Sequence, residues 1–379
     1  MLVKDTFLKQ AHFNLQLNFR KVTMSGVVFF EKDELIKNLA IEKNNLSNLK
    51  ERMKGLNIVL IEGDHSLENT LYTESAASEI RGILAIDKAL SSMGMNYKRI
   101  KTTDKSLSDA LNSSDFAFIY AQSEFGEDGR IQGWLDYLDV CYPGPGVSAS
   151  ALCCDKLYFK KVIKASGVNT ANFAEITPED NLFYLSRKAS ILGYPIIIKE
   201  RVSGSSLGLT IVNNEVELSI WYNAIKKRSQ ENYFLEKFIK GKFFTVGIIS
   251  METGDYVLPV LSAETDAEFY DADMKLGKSD KEIKYLLDEY PASFNKRIKK
   301  YAWDAFRHTG CEGLARVDFM VSGDEIYVLE INTIPGVSYG GNFTQMFTSI
   351  GFSYEEMILA VMNTAYLKKN KYLESINNE

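Results

Sequence analysis

Residues that build metal clusters and disulfide frameworks are scarce in this chain of 379 residues, which has four cysteines and three histidines. Cys141, Cys153, Cys154 and Cys311 make no CxxC pair, so a zinc site or disulfide scaffold is not expected and a reducing cytoplasm is. No apolar run approaches the roughly 18 residues of a membrane span. The amino-terminal stretch MLVKDTFLKQAHFNLQ lacks the continuous apolar segment of a secretory signal. A basic excess is missing too. Lys and Arg number 44 against 50 Asp and Glu, a net charge of -6, so no basic field points to nucleic acid or an anionic membrane. What remains is an ordinary globular composition, 45% hydrophobic and 25% charged, with length for two to three domains.

Residues 1–55 read as an extension. Phe13, Leu15, Leu17 and Phe19 alternate as in a half-buried strand, and Leu35, Ile36, Leu39, Leu46, Leu49 and Met53 recur at roughly helical spacing. This segment carries no evident chemistry and reads as a packing or dimer-forming appendage. From Leu56 the pattern changes. LNIVLIEG is a continuous apolar run closed by glycine, as for a strand buried on both faces. A helical stretch, SAASEIRGILAIDKALSSMG, follows, then strands at NYKRI and FAFIYA, which together imply a parallel α/β layer over residues 56–150. Next come a helix at DKLYFKKVIKASG closed by Gly167, short strands at YPIIIKE, LTIVNN and YFLEKFI with a helix near 215–230, and a helix at KRIKKYAWDAFRHTG.

That last helix leads into RVDFMVSGDEIYVLEIN, residues 316–332, a hairpin with an unusual load of polar side chains. A three-residue loop of Gly323, Asp324 and Glu325 would put Asp318 opposite Glu330 and Arg316 opposite Asn332. Val317, Phe319 and Val321 would then share a face with Tyr327, Leu329 and Ile331. Carboxylates facing each other across a sheet destabilise it. A hard divalent cation bridging Asp318, Glu330 and the Asn332 amide would compensate, and Mg²⁺ suits such a set together with substrate phosphates. Arg316, one pleat away, would stabilise charge on a reacting oxygen. A solvated polar face with a surface ion pair is the other reading, and a two-residue loop, Gly323-Asp324, is the competing register. Calcium would want several further oxygen ligands.

Upstream, GSSLG at residues 204–208 lies between two strands, where Gly204 and Gly208 let the backbone close on an anion and Ser205 and Ser206 offer hydroxyls. It is not a Walker loop, since no GKS/T follows; a plain hairpin turn is the alternative. Lys199 ends the preceding strand, and Lys156 stands near a helix start. In YFLEKFIKG, residues Glu236 to Ile239 have the edge and apolar walls an adenine ring needs, with Met320 as a floor; an edge strand with solvated charges is the bland alternative.

In this order, GEDG with CYPGPGVSASALCCDK, IIIKERVSGSSLG, LEKFIKGKFFTVGI, FYDADMK, GLARVDFMV and LEINTIPGVS resemble the D-alanine–D-alanine ligases, ATP-grasp carboxylate–amine ligases, over about residues 56–365. The resemblance implies an α/β (α+β) ATP-grasp fold: extension 1–55, amino-terminal parallel α/β domain 56–154, lid domain with antiparallel strands 155–237, and catalytic domain with a mixed sheet 238–379. By the same resemblance Lys156 and Lys199 contact the α- and β-phosphates, and Ser205 and Ser206 lie in a lid over the γ-phosphate. Glu236, Lys237, Phe238, Ile239, Lys275, Met320 and Leu329 belong to the ATP site, although strict alternation puts Leu329 on the face away from the metal. Asp318, Glu330 and Asn332 would bind two Mg²⁺ (or Mn²⁺), Arg316 and the Gly336 backbone form the oxyanion site, and Glu68 holds the donor's amino group.

The implied partners are small carboxylate and amine substrates, and a second copy in a homodimer. Departures cluster on the amino-acid side. The family's HG before GEDG is Gln122-Ser123, its tyrosine after Lys275 is Leu276, its ribose glutamate is Phe243, and its acceptor-carboxylate serine is Gly341. A site that loses a polar partner discriminates against the group it held, so a substrate other than plain D-alanine is expected. The alternatives are an authentic D-alanine–D-alanine ligase of peptidoglycan synthesis and a catalytically silent ATP- and metal-binding module. Retention of Lys156, Lys199, Arg316, Asp318, Glu330 and Asn332 argues against the last.

Overall fold

A computed structural model describes residues 32–64, 73–122, 125–202, 209–225, 230–264 and 284–377. The strand expected around Phe13–Phe19 lies outside these residues, as do Glu68, Ser205, Ser206, Lys275 and Leu276.

The first body is a parallel sheet in which β1 (Ile58–Glu62) lies between β2 (Tyr97–Lys101) and β3 (Phe116–Tyr120). Its connections are α2 (Thr73–Ser92) and α3 (Leu107–Asn112), preceded by α1 (Lys32–Met53) and followed by α4 (Arg130–Tyr137). Successive side chains of a strand face opposite ways. Val59, Ile61, Ala117 and Ile119 therefore pack on Ile131 and Leu135 of α4, while Ile58, Leu60, Phe116, Phe118 and Tyr120 enter the main core on the other side. The sequence reading anticipated this layer.

Two short helices, α5 (Val147–Cys154) and α6 (Lys156–Ala165), lead into a four-stranded antiparallel sheet. Its order is β4 (Phe173–Glu175), β7 (Tyr233–Lys237), β5 (Ile196–Glu200), β6 (Thr210–Val212). Leu185 and Ala189 of α7 (Leu182–Leu192) and Leu218 and Trp221 of α8 (Glu215–Ile225) bury against Ile196, Ile198 and Leu235 of this sheet.

The third sheet is built around β8 (Lys242–Met251), ten residues long and buried at every position after the first. It pairs with β9 (Gly254–Val257), with β10 (Leu261–Glu264), which carries β11 (Lys284–Leu287) at its far edge, and with β12 (Leu314–Ser322), which carries β13 (Glu325–Asn332). All these pairings are antiparallel, so among the described residues this sheet is not the mixed one expected. One face holds Val246, Ile248, Val317 and Phe319 against Ile298, Ala302 and Phe306 of α9 (Ala292–His308), with Phe159 and Ile163 of α6 in the same core. The other face joins the main core through Ile249, Met251 and Leu314. The chain finishes with α10 (Asn342–Thr348) and α11 (Tyr354–Asn377).

Helix α1 belongs to this body. Leu46, Leu49 and Met53 are buried in the same core as Met357, Ile358 and Val361 of α11, and Glu42 accepts the Thr253 N–H at 2.8 Å.

The hairpin β12–β13 combines both expected registers. Arg316 faces Asn332 and Asp318 faces Glu330, but Phe319 faces Val328 and Ser322 faces Glu325. The loop is therefore the two-residue Gly323-Asp324 turn, with Gly323 at φ +58, and Leu329 is the extra residue of a β-bulge. This corrects the expected core face. Ile326, Val328 and Ile331 are its members, in place of Tyr327, Leu329 and Ile331. Leu329, next along from Val328, falls on the same side as Glu330, which removes the conflict over its place.

Candidate active site

Asp318 is the most enclosed polar group of the hairpin, only 1% exposed. The Thr245 hydroxyl donates to its Oδ1 at 2.6 Å, Arg316 donates through Nε at 2.9 Å and Nη2 at 3.0 Å, and Asn332 Nδ2 donates at 3.2 Å. Across the hairpin Glu330 lies 3.9 Å from Lys156 Nζ. Each of the facing carboxylates thus has a cation of its own, so their opposition does not by itself demand a metal ion. The donor set still fits one. Asp318 and Glu330 are hard oxygen donors on one face, and Asn332 turns its amide nitrogen to Asp318, which leaves its Oδ1 for a cation. Mg²⁺ takes one or two protein carboxylates and fills its octahedron from phosphate and water.

Lys156 opens α6 because Asp155 caps that helix, accepting from the amides of Leu157 at 3.0 Å and Tyr158 at 3.1 Å. Arg201, just past β5, clamps the same carboxylate at 2.6 Å, and its carbonyl accepts the Lys156 N–H at 2.9 Å. Two segments far apart in sequence therefore bring Lys156 beside the end of β5, where Lys199 stands.

Lys199 donates to Glu236 Oε1 at 2.6 Å, and Lys160 lies 2.7 Å from Oε2. Lys160 also donates to the Thr170 hydroxyl at 2.5 Å, which donates to the Val328 carbonyl at 2.7 Å. This chain ties β13 of the large sheet to β7 of the smaller one. Burial pushes the Glu236 carboxyl up, but Lys160 and Lys199 outweigh it and hold the group below its ordinary value. Burial drives the Lys160 ammonium down, opposed by Glu236. The Glu236 side chain thus holds lysines, and its backbone lies between Phe173 of β4 and Ile197 of β5, so it is not the open strand edge that the sequence suggested.

Lys237 donates to the carbonyls of Gly193 at 2.7 Å and Tyr194 at 3.2 Å. The Phe238 amide bonds the Pro195 carbonyl at 3.2 Å. Phe238 and Ile239 are half-buried in the strap from β7 to β8, as are Met320 and Leu329 on the hairpin. At Gly241 a Cβ would lie 2.1 Å from the Val321 carbonyl oxygen and 3.3 Å from Met320 Cγ, so the strap runs hard against β12.

Gly336 follows β13. A Cβ there would lie 3.5 Å from Gln122 Nε2, which donates to the Ile334 carbonyl at 2.7 Å. Gly341 caps α10, and a Cβ there would sit 3.0 Å from the Ser338 carbonyl oxygen and 3.1 Å from its hydroxyl. The sequence reading passed over Glu127 of the GEDG motif. Burial pushes its carboxyl up to about 8, helped by Glu79 and Glu330 and opposed by Lys156 and Arg316. It therefore lies within reach of the charges of Lys156, Arg316 and Glu330. Glu79, 2% exposed, accepts the Gly63 N–H at 3.0 Å nearby.

The profile of the family described as D-ala D-ala ligase C-terminus matches residues 162–363. A D-alanine–D-alanine ligase of Carboxydothermus hydrogenoformans is 32% identical over 287 residues, 73% of this chain and 90% of that protein. D-alanine–D-alanine ligase B of Clostridium perfringens is 33% identical over 266 residues, 69% of this chain and 84% of the relative. The crystal structure of the Bacillus anthracis D-alanine–D-alanine ligase complexed with ATP superimposes with a TM-score of 0.69 at 25% identity, over 84% of this chain and all of that one. Fold and matches define a ligase of the ATP-grasp class. Within that class, the chain belongs to the D-alanine–D-alanine ligase family.

Proposed function

We propose that this ligase joins a small carboxylate to an amine other than D-alanine, spending ATP through an acyl phosphate in the cleft between the two antiparallel sheets. The gathering of Arg316, Asp318, Glu330 and Asn332 on one hairpin with Lys156 beside Glu330 supports the reading, since such cation- and anion-binding groups suit a triphosphate tail. Lys156 and Lys199 hold the phosphates, while Glu236–Ile239 at the end of β7 and the start of the strap, with Met320 and Leu329, hold adenine. Asp318, Glu330 and Asn332 would hold Mg²⁺, which when bound neutralises crowded phosphate oxygens. The division at residues 55, 154 and 237 into extension, amino-terminal, lid and catalytic parts belongs to the same proposal, as do cytoplasmic location and a homodimer. Among the described residues, no helix is long and apolar enough to cross a membrane.

The chemistry asked of these residues is balanced. A donor carboxylate oxygen attacks the γ-phosphorus, its new O–P bond replaces the one to ADP, and ADP leaves with the electron pair. The acceptor's amine then adds to the acyl carbon, the carbonyl electrons shift to oxygen, and they return as phosphate departs with the C–O pair. The amine's proton leaves with the phosphate. Arg316 and the Gly336 N–H face the oxygen that turns negative.

A substrate other than D-alanine is supported by Gln122, Leu276 and Gly341 at family positions on the amino-acid side. One observation favours the second reading, an authentic D-alanine–D-alanine ligase. The Ser338 hydroxyl stands 3.1 Å from where a serine Cβ at 341 would be, so a hydroxyl is within reach of the lost one's place. ADP release over a panel of amino acids and amines separates them. The first reading expects D-alanine alone to be a poor substrate; robust turnover with D-alanine alone would leave the second.

A further inference from the structure

The loop that carries Gly336 is clamped by residues given no role above. Tyr120 ends β3 with its ring 1% exposed in the main core. Its hydroxyl accepts the Val337 N–H at 3.2 Å, and the Val337 carbonyl accepts from the Tyr354 hydroxyl at 2.9 Å. Both ends of one residue are thus held by phenols from opposite parts of the chain. The Val337 N–H shares a peptide plane with the Gly336 carbonyl, so fixing it fixes one of the two peptide planes that meet at the Gly336 Cα.

The packing is arranged around this contact. A Cβ on Gly82 of α2 would lie 1.9 Å from the Tyr120 oxygen, so the phenol reaches the loop only because that helix passes without a side chain. On the loop side, a Cβ on Gly336 would lie 3.9 Å from the same oxygen. Burial holds the phenol far above its ordinary value; the Val337 N–H works against this, and the charges of Glu79 and Arg316 also act on it. It therefore stays protonated at neutral pH, one hydrogen bond away from the loop that carries Gly336.

We propose that Tyr120 is a positioning residue for the ligation step. Its hydroxyl holds the Val337 amide, one of the two peptide planes that meet at the Gly336 Cα, and so helps keep the Gly336 N–H turned to the oxygen that becomes negative when the amine adds. The inference rests on the ligase reading above. Tyr120→Phe keeps the ring and removes only the hydroxyl, so packing against α2 is preserved.

Steady-state ADP release by wild type and Tyr120→Phe, each over a full ATP titration with melting temperatures alongside, tests it. The expected result is a fall in kcat of about 10- to 100-fold, since misaimed groups in a preorganised site cost on that order. KM for ATP should stay within about twofold, because no nucleotide contact is altered. An unchanged kcat would overturn the inference, whatever the melting temperature does. So would a joint shift of kcat, KM for ATP and melting temperature, which would make Tyr120 a packing residue only. Absence of ADP release from the wild type across the whole substrate panel would overturn the ligase reading itself, and this inference with it.

Discussion

Glu127 shows how far one side chain's chemistry depends on what folds around it. Its carboxyl, ordinarily at 4.5, is pushed up to about 8 by burial, with Glu79 and Glu330 adding to the effect. Between those two values the folded chain keeps a proton that the unfolded chain has released, so stability falls as pH rises through the window. Above pH 8 the charge is present in both states and the full penalty applies. Glu127→Gln removes the titration. In the nucleotide- and metal-free protein it should melt about 3 °C or more above wild type at pH 8.5, with the gap closing as pH falls toward 4.5. A constant gap across that range would contradict the assignment. Nothing in the spacing of FGEDGR separates a folded-in carboxylate from a solvated turn, which is why Glu127 was not legible in the sequence. Arg316, Asp318, Glu330 and Asn332 were, because a strand's two-residue period fixes which side chains share a face.

At the scale of elements, the β12–β13 hairpin explains both what pattern reasoning caught and what it missed. The paired carboxylates were placed correctly, yet the turn has one residue fewer than expected, and the bulge at Leu329 makes up the difference. Alternation carries no information about a bulge, because the extra residue shifts the phase inside a strand that otherwise keeps its pattern. The consequence is functional. Leu329 comes to the side of Glu330, where the proposed nucleotide site would use an apolar wall. The strap above it has its own requirement at Gly241, where a Cβ would strike the Val321 carbonyl oxygen at 2.1 Å. That obstacle is backbone and does not swing aside. Gly241→Ala should displace Phe238 and Ile239, raising KM for ATP about tenfold with a smaller effect on kcat. An unchanged KM for ATP would show that the strap does not hold the nucleotide.

Across the whole molecule, the fold joins sheets that the sequence lays down far apart. β8 is the spine of the largest sheet, but KFFTVGIISM is an almost unbroken apolar run flanked by more strands, so its central place was not legible from period alone. The parallel layer was legible, because its strands alternate with helices. Helix α1 was recognised as a helix but not as part of the core, since helical spacing says which face is buried and not against what. Lys160 marks the junction. It reaches Glu236 on one sheet and, through Thr170, the Val328 carbonyl on another, so Lys199 and strand β13 are joined through one network.

The most direct test of the ligase account follows an oxygen atom. Amino acids labelled with ¹⁸O in the carboxylate, in D and L forms, are incubated with ATP, Mg²⁺ and a panel of amines, and the released phosphate is weighed by mass spectrometry. An acyl phosphate attacked at carbon must carry one donor oxygen away, so singly labelled phosphate formed in step with ADP is the predicted result. Phosphate that gains no label while ADP accumulates, or no ADP with any pair, would contradict it.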